Sequence, residues 1–202
     1  MAIINSIEKL RHGKVRVVFN SENNVDILAE SILEYKITEG LSISNTKWHE
    51  ICKASRNRLA IREALKFLSK KRRTTSELEQ WLQKSFSDNE TLHATERMQE
   101  LKYLNDESWA MDYQKSYKAR GKSKRYLANE LKKKNIHPEI QEKALNIHND
   151  ETEALWLARK KVRTFDKLPF EKQKTKLYSY LQRRGFNNEL IISIARQLIS
   201  EN

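Results

Sequence analysis

The sequence contains few residues that break regular backbone structure. Its 202 residues include only four Gly and two Pro. Long helices tolerate that scarcity, whereas a fold made of many tight turns needs these residues at its turns. The sequence therefore predicts a mainly helical protein rather than a turn-rich all-β protein.

Cysteine and long apolar runs are also scarce. The single cysteine, Cys52, cannot form an internal disulfide, and it excludes a zinc site built on paired cysteines. We find no apolar run near the roughly 20 residues that span a bilayer. The first residues, "MAIINSIEKLRHGK", have no continuous apolar stretch of the kind that a secretory signal needs. These features predict a soluble, cytoplasmic protein.

Motifs that carry catalysis or cofactor binding are missing as well. The sequence has neither the GxxxxGK[ST] nor the GxGxxG phosphate-binding pattern, and its five histidines are scattered without an HExxH arrangement. The carboxylate pairs Asp106–Glu107 and Asp150–Glu151 precede apolar helical patterns, where the helix dipole explains them. We predict that the protein is not an enzyme, and that it has no catalytic residue, cofactor or metal.

Positive charge is abundant and unevenly distributed. The formal net charge is +12, and residues 1–60 contribute nine Lys/Arg against seven Asp/Glu. Residues 113–136 carry nine Lys/Arg and one acid, and residues 159–184 carry ten and two. A solvated helix face could explain one such run, but two runs at matching places favour an anionic partner, typically nucleic acid.

The chain repeats a pattern of apolar residues about every 50 residues. Each copy has two leucines four apart, which share one face of a helix, then an aromatic or aliphatic residue and a helix-start signal. These signals are Ser87 with Glu90, Pro138, and Asn187 after Gly185, a natural helix-ending residue. The repeated apolar residues are Leu78, Leu82 and Phe86, Leu127, Leu131 and Ile136, and Leu177, Leu181 and Phe186.

Another helical pattern precedes each copy. Asn105 and Asn149 are predicted N-caps with acids in the first turn behind them, and Pro169 marks a later helix start. Three tandem three-helix units are therefore predicted, at residues 57–105, 106–149 and 150–202. Each unit is close to the lower size limit for independent folding, so we expect neighbours to share surface in an elongated, curved array.

The first 56 residues follow a different pattern. "KVRVVF" alternates as a strand does, with Val15, Val17 and Phe19 on one side, "NSENN" is a predicted turn, and "VDIL" is predicted to pair back. "LAESILEYKI" looks helical, and another helix is predicted to begin within residues 46–52. The prediction for residues 1–56 is a small β-hairpin-plus-helix cap.

Two groups of aromatic residues have different predicted roles. Trp81, Trp109 and Trp156 fall within amphipathic helical patterns, for which packing is the default explanation. Stacking on single-stranded bases needs exposed aromatics interleaved with cations. The candidates for such stacking are Tyr117, Tyr126 and Tyr178.

Four segments resemble the RecX family, whose members regulate the RecA recombinase. They are "ALKFLSKKRRTTSELEQWL" (64–82), "LKYLNDESWA" (101–110), "RGKSKRYLANELKKKNI" (120–136) and, most specifically, "KLYSYLQRRGFNNELI" (176–191). The resemblance runs from residue 59 to the C-terminus and fits the first 56 residues more loosely. Arg72 stands where the family commonly has proline, and Lys102 where it often has glycine.

The resemblance implies binding to the RecA–DNA filament, and hence roles in homologous recombination, DNA repair and the SOS response. It implies inhibition of RecA through limited filament growth or promoted disassembly. Our hypothesis is that cations of the second and third units contact the filament, and free DNA is a further possible partner. We expect a monomer. The candidate contact residues are Arg120, Lys122, Lys124, Arg125, Lys132, Lys133, Lys134, Lys160, Lys161, Arg183 and Arg184.

Two alternatives of other classes remain. An independent helix-turn-helix DNA-binding protein also has three-helix units, but its cations would line one exposed helix rather than cluster at helix ends. An RNA-binding repeat protein would need a base-reading pair in every unit, and no such pair occurs at matching positions.

Overall fold

The computed structural model describes residues 2–20, 24–165 and 167–199. It divides into two compact units, which are described separately below. Unit 1 covers Met1–Leu104 and unit 2 covers Asn105–Asn202. The predicted mainly helical class is confirmed, because helices form about half of unit 1 and most of unit 2.

Unit 1 begins with a four-stranded antiparallel sheet of order β3-β2-β1-β4. The strands are β1 (Ala2–Lys9), β2 (Lys14–Phe19), β3 (Val25–Leu28) and β4 (Ser42–Ile43). The predicted pairing of β2 with β3 is confirmed, and most of the predicted turn lies outside the described residues. The prediction missed β1 because a register shift between Ile4 and Ser6 breaks its alternation.

One face of the sheet packs against a helical layer. Val15, Val17 and Phe19 are buried, as their alternation predicted. They share a cluster with Ile51 of the second helix. The first helix, α1 (Ala29–Glu34), follows β3 directly. We call the buried cluster that contains Val15, Val17, Phe19 and Ile51 the sheet cluster.

Helix α2 (Asn45–Leu68) is continuous, which corrects the prediction of two separate helices in this stretch. Ser44 caps it by accepting a hydrogen bond from the Lys47 N–H at 3.2 Å. No Gly or Pro lies between its ends, so nothing in its sequence breaks the backbone ladder. The helix runs through the boundary predicted at residue 56, and the domain limits given above stay a prediction.

Helices α3 (Thr75–Leu82) and α4 (Asp88–Glu100) complete unit 1. The capping box predicted for Ser87 and Glu90 is confirmed, and Thr74 with Glu77 forms a second one. These helices pack against α2 through small and medium-sized residues. The shared core contains Ala60, Ala64, Leu78, Leu82, Ala94, Met98 and Leu104.

Unit 2 consists of two further groups of three helices. The first is α5 (Asp106–Ala119), α6 (Lys124–Lys133) and α7 (Pro138–Asn146), and the second is α8 (Asp150–Val162), α9 (Phe170–Gln182) and α10 (Asn188–Leu198). The predicted caps Asn105, Asn149 and Asn187 each accept a backbone hydrogen bond. Pro138 occupies the first turn of α7, and Pro169 is the N-cap of α9.

The repeated leucines form equivalent cores in the three groups. All six are fully buried, and Ile136 and Phe186 are nearly so. Phe86 differs because it is half-buried, with the Arg56 guanidinium 5.0 Å from its ring centroid. The repeat read from the sequence is therefore a repeat of core packing.

A short junction links the two helical groups of unit 2. The Ser123 N–H donates to the Arg184 carbonyl at 3.0 Å, and the Lys124 N–H donates to Asp150 Oδ1 at 2.6 Å. Ser123 Oγ also caps α6 by accepting from the Tyr126 N–H at 3.2 Å. Gly185, the residue after Arg184, has φ +86, the left-handed conformation expected of a helix-ending glycine. The start of α6 is thus held by residues of the following group.

Candidate nucleic-acid interface

The predicted contact residues divide into several local environments in unit 2. Five of them line concave surfaces, whereas others are engaged in helix ends or ion pairs. The structure therefore separates cations that are available to a ligand from cations that stabilise helices.

The most concentrated group surrounds Tyr180 on α9. Lys161, Lys176 and Arg183 line a cavity of about 330 Å³ together with the Tyr180 ring. The Lys161 ammonium lies 5.6 Å from the ring centroid, and the Arg184 guanidinium carbon lies 3.8 Å from it. We call this surface the Tyr180 groove. Lys176 was not among the predicted contact residues.

Helical spacing builds the Tyr180 groove. Lys176 and Tyr180 are four residues apart, so they lie on one face of α9, and Arg184 follows just after the helix ends. Lys161 belongs to the last turn of α8, where a cation also complements the helix dipole. Arg184 Nη1 donates to the Tyr180 carbonyl at 3.4 Å, which holds its guanidinium beside the ring. Arg184 thus packs on the Tyr180 ring without lining the groove itself.

Two other surfaces of unit 2 carry predicted cations. Arg125 lines a cavity of about 410 Å³ at the junction, with Tyr126, Asn129 and Gln182. Lys124 and Lys132 line another of about 440 Å³, where the carboxylate of Glu142 is also present. These surfaces have lower concentrations of cations than the Tyr180 groove.

The remaining predicted cations are more dispersed. The Lys133 ammonium lies 2.8 Å from Glu130, which raises the pKa of that lysine, and Lys134 is the C-cap of α6. Arg120 is exposed just after α5. Lys122 and Lys160 each lie over an aromatic ring, 4.4 Å from the Tyr126 centroid and 5.4 Å from the Trp156 centroid.

The aromatic residues do not all take the predicted roles. Trp81 and Trp109 are half-buried against other rings, as packing predicted, but Trp156 is 57% exposed. Of the predicted stacking residues, Tyr117 is buried at 5% exposure and is excluded from direct stacking. Tyr178 is half-buried, and Tyr126 is exposed beneath Lys122. The sequence misplaced Tyr117 because its neighbours Tyr113 and Tyr126 close over it.

The chemistry of Cys52 and of the metal-binding residue types is limited. Burial raises the pKa of the Cys52 thiol, which disfavours the reactive thiolate. Within the described ranges, no group of three His, Cys, Asp or Glu side chains could hold a metal ion.

A basic groove in unit 1 was missed by the sequence reasoning. Its volume is about 690 Å³, and Arg62 of α2 lies on its wall, so we call it the Arg62 groove. The signal was the helical spacing of residues 59, 62, 63 and 66, but no local pattern indicated that the β1–β2 turn and residues 81–86 lie beside this face. The cations that line it are Lys14, Arg56, Arg62, Lys66 and Lys84.

The third helical group matches the family model described as RecX, third three-helix domain, over residues 150–194. Along the chain, similarity extends to "Regulatory protein RecX" of Lactobacillus gasseri, with 28% identity over 94% of this chain and 72% of that protein. The namesake from Bacillus subtilis is 26% identical over 98% of this chain and 76% of that protein. The resemblance to RecX is confirmed.

Crystal structures of RecX proteins share the fold. One, of a regulatory protein RecX, gives a TM-score of 0.67 at 18% identity and covers 96% of this chain and 98% of its own. RecX from Lactobacillus salivarius gives 0.63 at 23% identity, covering 72% of this chain and 97% of its own. The mainly helical, repeated architecture is therefore that of RecX.

One departure from the RecX pattern has a structural meaning. Lys102, which stands where RecX proteins often have glycine, has φ +60 at the end of α4. That conformation favours glycine, so Lys102 carries backbone strain that the usual residue avoids. Arg72 lies in the connection between α2 and α3.

Among the residues that the structure describes, none of the helices combines the length and the apolar character that a membrane span requires.

Proposed function

We propose that this protein regulates the RecA recombinase by binding the filament that RecA forms on single-stranded DNA. Binding limits filament growth or promotes disassembly, and so lowers the ATPase, strand-exchange and coprotease activities of RecA. The protein acts in the cytoplasm as a monomer and performs no catalysis itself. Its similarity to proteins named regulatory protein RecX supports this proposal.

The Tyr180 groove is the observation that carries the DNA contact in this proposal. Lys161, Lys176 and Arg183 form no ion pair with any residue that the structure describes. Their charge is therefore balanced by solvent ions that a phosphate backbone would displace. The Tyr180 ring adds a flat surface between these cations, which suits a strand with unstacked bases.

The first experiment measures DNA-dependent ATP hydrolysis by the cognate RecA on single-stranded DNA. The protein is titrated well below one copy per RecA protomer. Steep loss of hydrolysis at those ratios is expected, because one bound molecule affects many protomers when it blocks growth or promotes disassembly. Loss that begins only when the DNA is saturated would contradict filament regulation and indicate competition for bare DNA.

A triple variant tests the Tyr180 groove. Lys161→Ala, Lys176→Ala and Arg183→Ala together should weaken filament binding and flatten its salt dependence, by about 2 in the logarithmic slope for three lost contacts to a single strand.

The matched control changes three other cations of the same unit, Lys115→Ala, Lys167→Ala and Lys172→Ala. These residues are exposed and do not line the groove. Equal losses in the triple variant and the control would remove the Tyr180 groove from the proposal.

An independent DNA-binding protein of the helix-turn-helix type is the second candidate. The connection between α6 and α7 is only four residues, residues 134–137, as in that motif. However, Lys143 of α7 is paired with Glu107 at 2.9 Å, and Arg196 is the only cation of α10. A sequence-dependent gel shift on duplex DNA without RecA would favour this second candidate.

A further inference from the structure

The Arg62 groove lies wholly within unit 1, and three elements form it. One face of α2 is its floor, the β1–β2 turn at Arg11–Gly13 is one rim, and the connection from α3 to α4 is the other. None of the cations discussed under the proposed function lines this groove, because all of them belong to unit 2.

Helix geometry sets the spacing of cations along this groove. Arg62 and Lys66 are one turn apart on α2, a rise of about 6 Å. Adjacent phosphates of an extended nucleic-acid strand are separated by a similar distance. Lys84 adds a cation on the opposite rim. The arrangement can therefore contact successive phosphates.

Not every cation of the groove is available to a ligand. Arg56 is neutralised by Glu90, with Nε–Oε1 and Nη2–Oε2 distances of 2.8 and 3.0 Å, and the same hydrogen bonds lower the pKa of Glu90. Lys66 lies 3.9 Å from Glu63, and because its side chain is 70% exposed, this pair neutralises it only in part. In contrast, Arg62 and Lys84 make no ion pair with any described residue. Lys14 likewise makes no ion pair with any described residue, so these three residues supply the unbalanced positive charge.

The Arg62 guanidinium is held in place by the turn beside it. Its Nη2 donates to the His12 carbonyl at 3.1 Å. His12 and Gly13 both have left-handed backbone conformations, with φ of 60 and 68. The strain at His12 presents that carbonyl to α2, so part of the ordering of Arg62 is complete before any ligand binds.

Aromatic rings complete the wall of the groove. Trp81 is stacked on Phe67, with centroids 4.6 Å apart and an interplanar angle of 14°. The Arg73 guanidinium lies 4.5 Å from the Phe67 centroid, so the stack is closed at its far end. The remainder of the half-buried indole lines the groove beside the cations. A flat apolar surface next to phosphate-binding cations is the arrangement that binds unstacked bases.

We infer that the Arg62 groove is a second nucleic-acid site, which holds the phosphates of a single strand on Arg62, Lys66 and Lys84 and a base against Trp81. An acidic peptide would use the cations but would leave the aromatic wall without a role. The inference does not depend on RecA, and its residues differ from those of the Tyr180 groove.

The test measures binding of the full chain to a labelled oligothymidine by fluorescence anisotropy. The variant Arg62→Gln with Lys84→Gln should lose about tenfold or more in affinity at low salt, and its logarithmic salt slope should fall by about 1.4. The control Lys70→Gln with Lys71→Gln removes the same charge from exposed residues of unit 1 that do not line the groove. It should lose much less, and equal losses in the two variants would overturn the inference.

A second variant tests the base contact. Trp81→Leu should weaken binding of oligothymidine by about tenfold, since one stacked base contributes that much. It should leave binding of an abasic strand of the same length unchanged. Equal loss on both strands would refute stacking on Trp81, and displacement of the oligonucleotide by an equal charge of poly-L-glutamate would identify an acidic peptide as the ligand instead.

Two controls keep these results interpretable. Lys84→Gln alone changes an exposed residue and should preserve the fold, as thermal unfolding can check, while still lowering the affinity severalfold. The Tyr180-groove triple variant should retain Trp81-dependent binding of oligothymidine. Failure of RecA inhibition with intact Trp81-dependent binding would refute the proposed function alone, and the reverse pattern would refute the Arg62 site alone.

Discussion

Replacing Gly185 by alanine should destabilise unit 2 through two separate effects. Gly185 has φ +86, where a side chain costs about 1 to 2 kcal/mol. An added Cβ would also lie 2.7 Å from Ser123 Oγ, a distance that requires the serine to move. Because that oxygen caps α6, its displacement costs about 1 kcal/mol more. The expected loss in the free energy of unfolding is about 2 to 3 kcal/mol.

Gly40 supplies a matched control for the backbone effect. It has φ +79, but an added Cβ would meet nothing within 4 Å. Gly40→Ala should therefore cost only the backbone part, about 1 to 2 kcal/mol. The difference between the two variants isolates the contact with Ser123.

A double-mutant cycle with Ser123→Ala provides the decisive measurement. Without the hydroxyl, Gly185→Ala should cost no more than Gly40→Ala, which corresponds to a coupling of about 1 kcal/mol. Urea unfolding followed by circular dichroism measures the free energies, and hydrogen exchange at the Tyr126 amide reports the cap directly. Equal costs of Gly185→Ala with and without the serine hydroxyl would refute the reasoning.

Three further predictions concern other parts of the fold. Lys102→Gly should stabilise unit 1 by about 1 kcal/mol in urea unfolding because it removes a left-handed lysine, and a loss of stability would contradict the assigned strain. The hydrogen bond from Arg56 lowers the pKa of Glu90, so the ion pair stabilises the fold above the unfolded pKa of Glu90, and this stabilisation disappears as pH falls through the folded pKa. Glu90→Gln should therefore reduce the acid sensitivity of thermal unfolding below about pH 4. An unchanged pH profile would count against the pair. Leu131→Ala should cost about 2 to 5 kcal/mol in urea unfolding because the side chain is fully buried, whereas Leu92→Ala, at a half-exposed position, should cost far less.

The helical repeat could be predicted because its signals are local. Leucines four apart, N-caps and a helix-ending glycine each specify structure within a few residues, and all appear where predicted. The buried alternation of β2 is local in the same sense. These parts of the fold follow from periodicity and capping alone.

The parts that were missed depend on distant contacts. Strand β1 has a bulge that breaks its alternation, and β4 has only two residues, so neither gives a periodic signal. The continuity of α2 was missed because the repeat assigned its second half to the first three-helix unit and left its first half to the N-terminal cap. Tyr117 looked like an exposed aromatic among cations until Tyr113 and Tyr126 were seen to cover it.

The candidate sites likewise combine features that local patterns predict with features that depend on distant contacts. Of the predicted contact residues, Lys161 and Arg183 lie in one groove, and their role in binding stays a prediction. It could not show that Lys133 is paired with Glu130, because the choice between a free and a paired cation depends on side-chain geometry. The Arg62 groove required knowing that the β1–β2 turn lies beside α2, which no local pattern encodes.

Helix α2 makes the sheet and the first helical core mechanically continuous. Ile51 is anchored in the sheet cluster, while Ala60 and Ala64 are anchored among α3 and α4. The helix is about 36 Å long and contains no Gly or Pro, so it offers no hinge between these anchors. A force applied to the C-terminal half of α2 would therefore be transmitted along the helix to the sheet. We expect the sheet and the first helical core of unit 1 to move together under such a force.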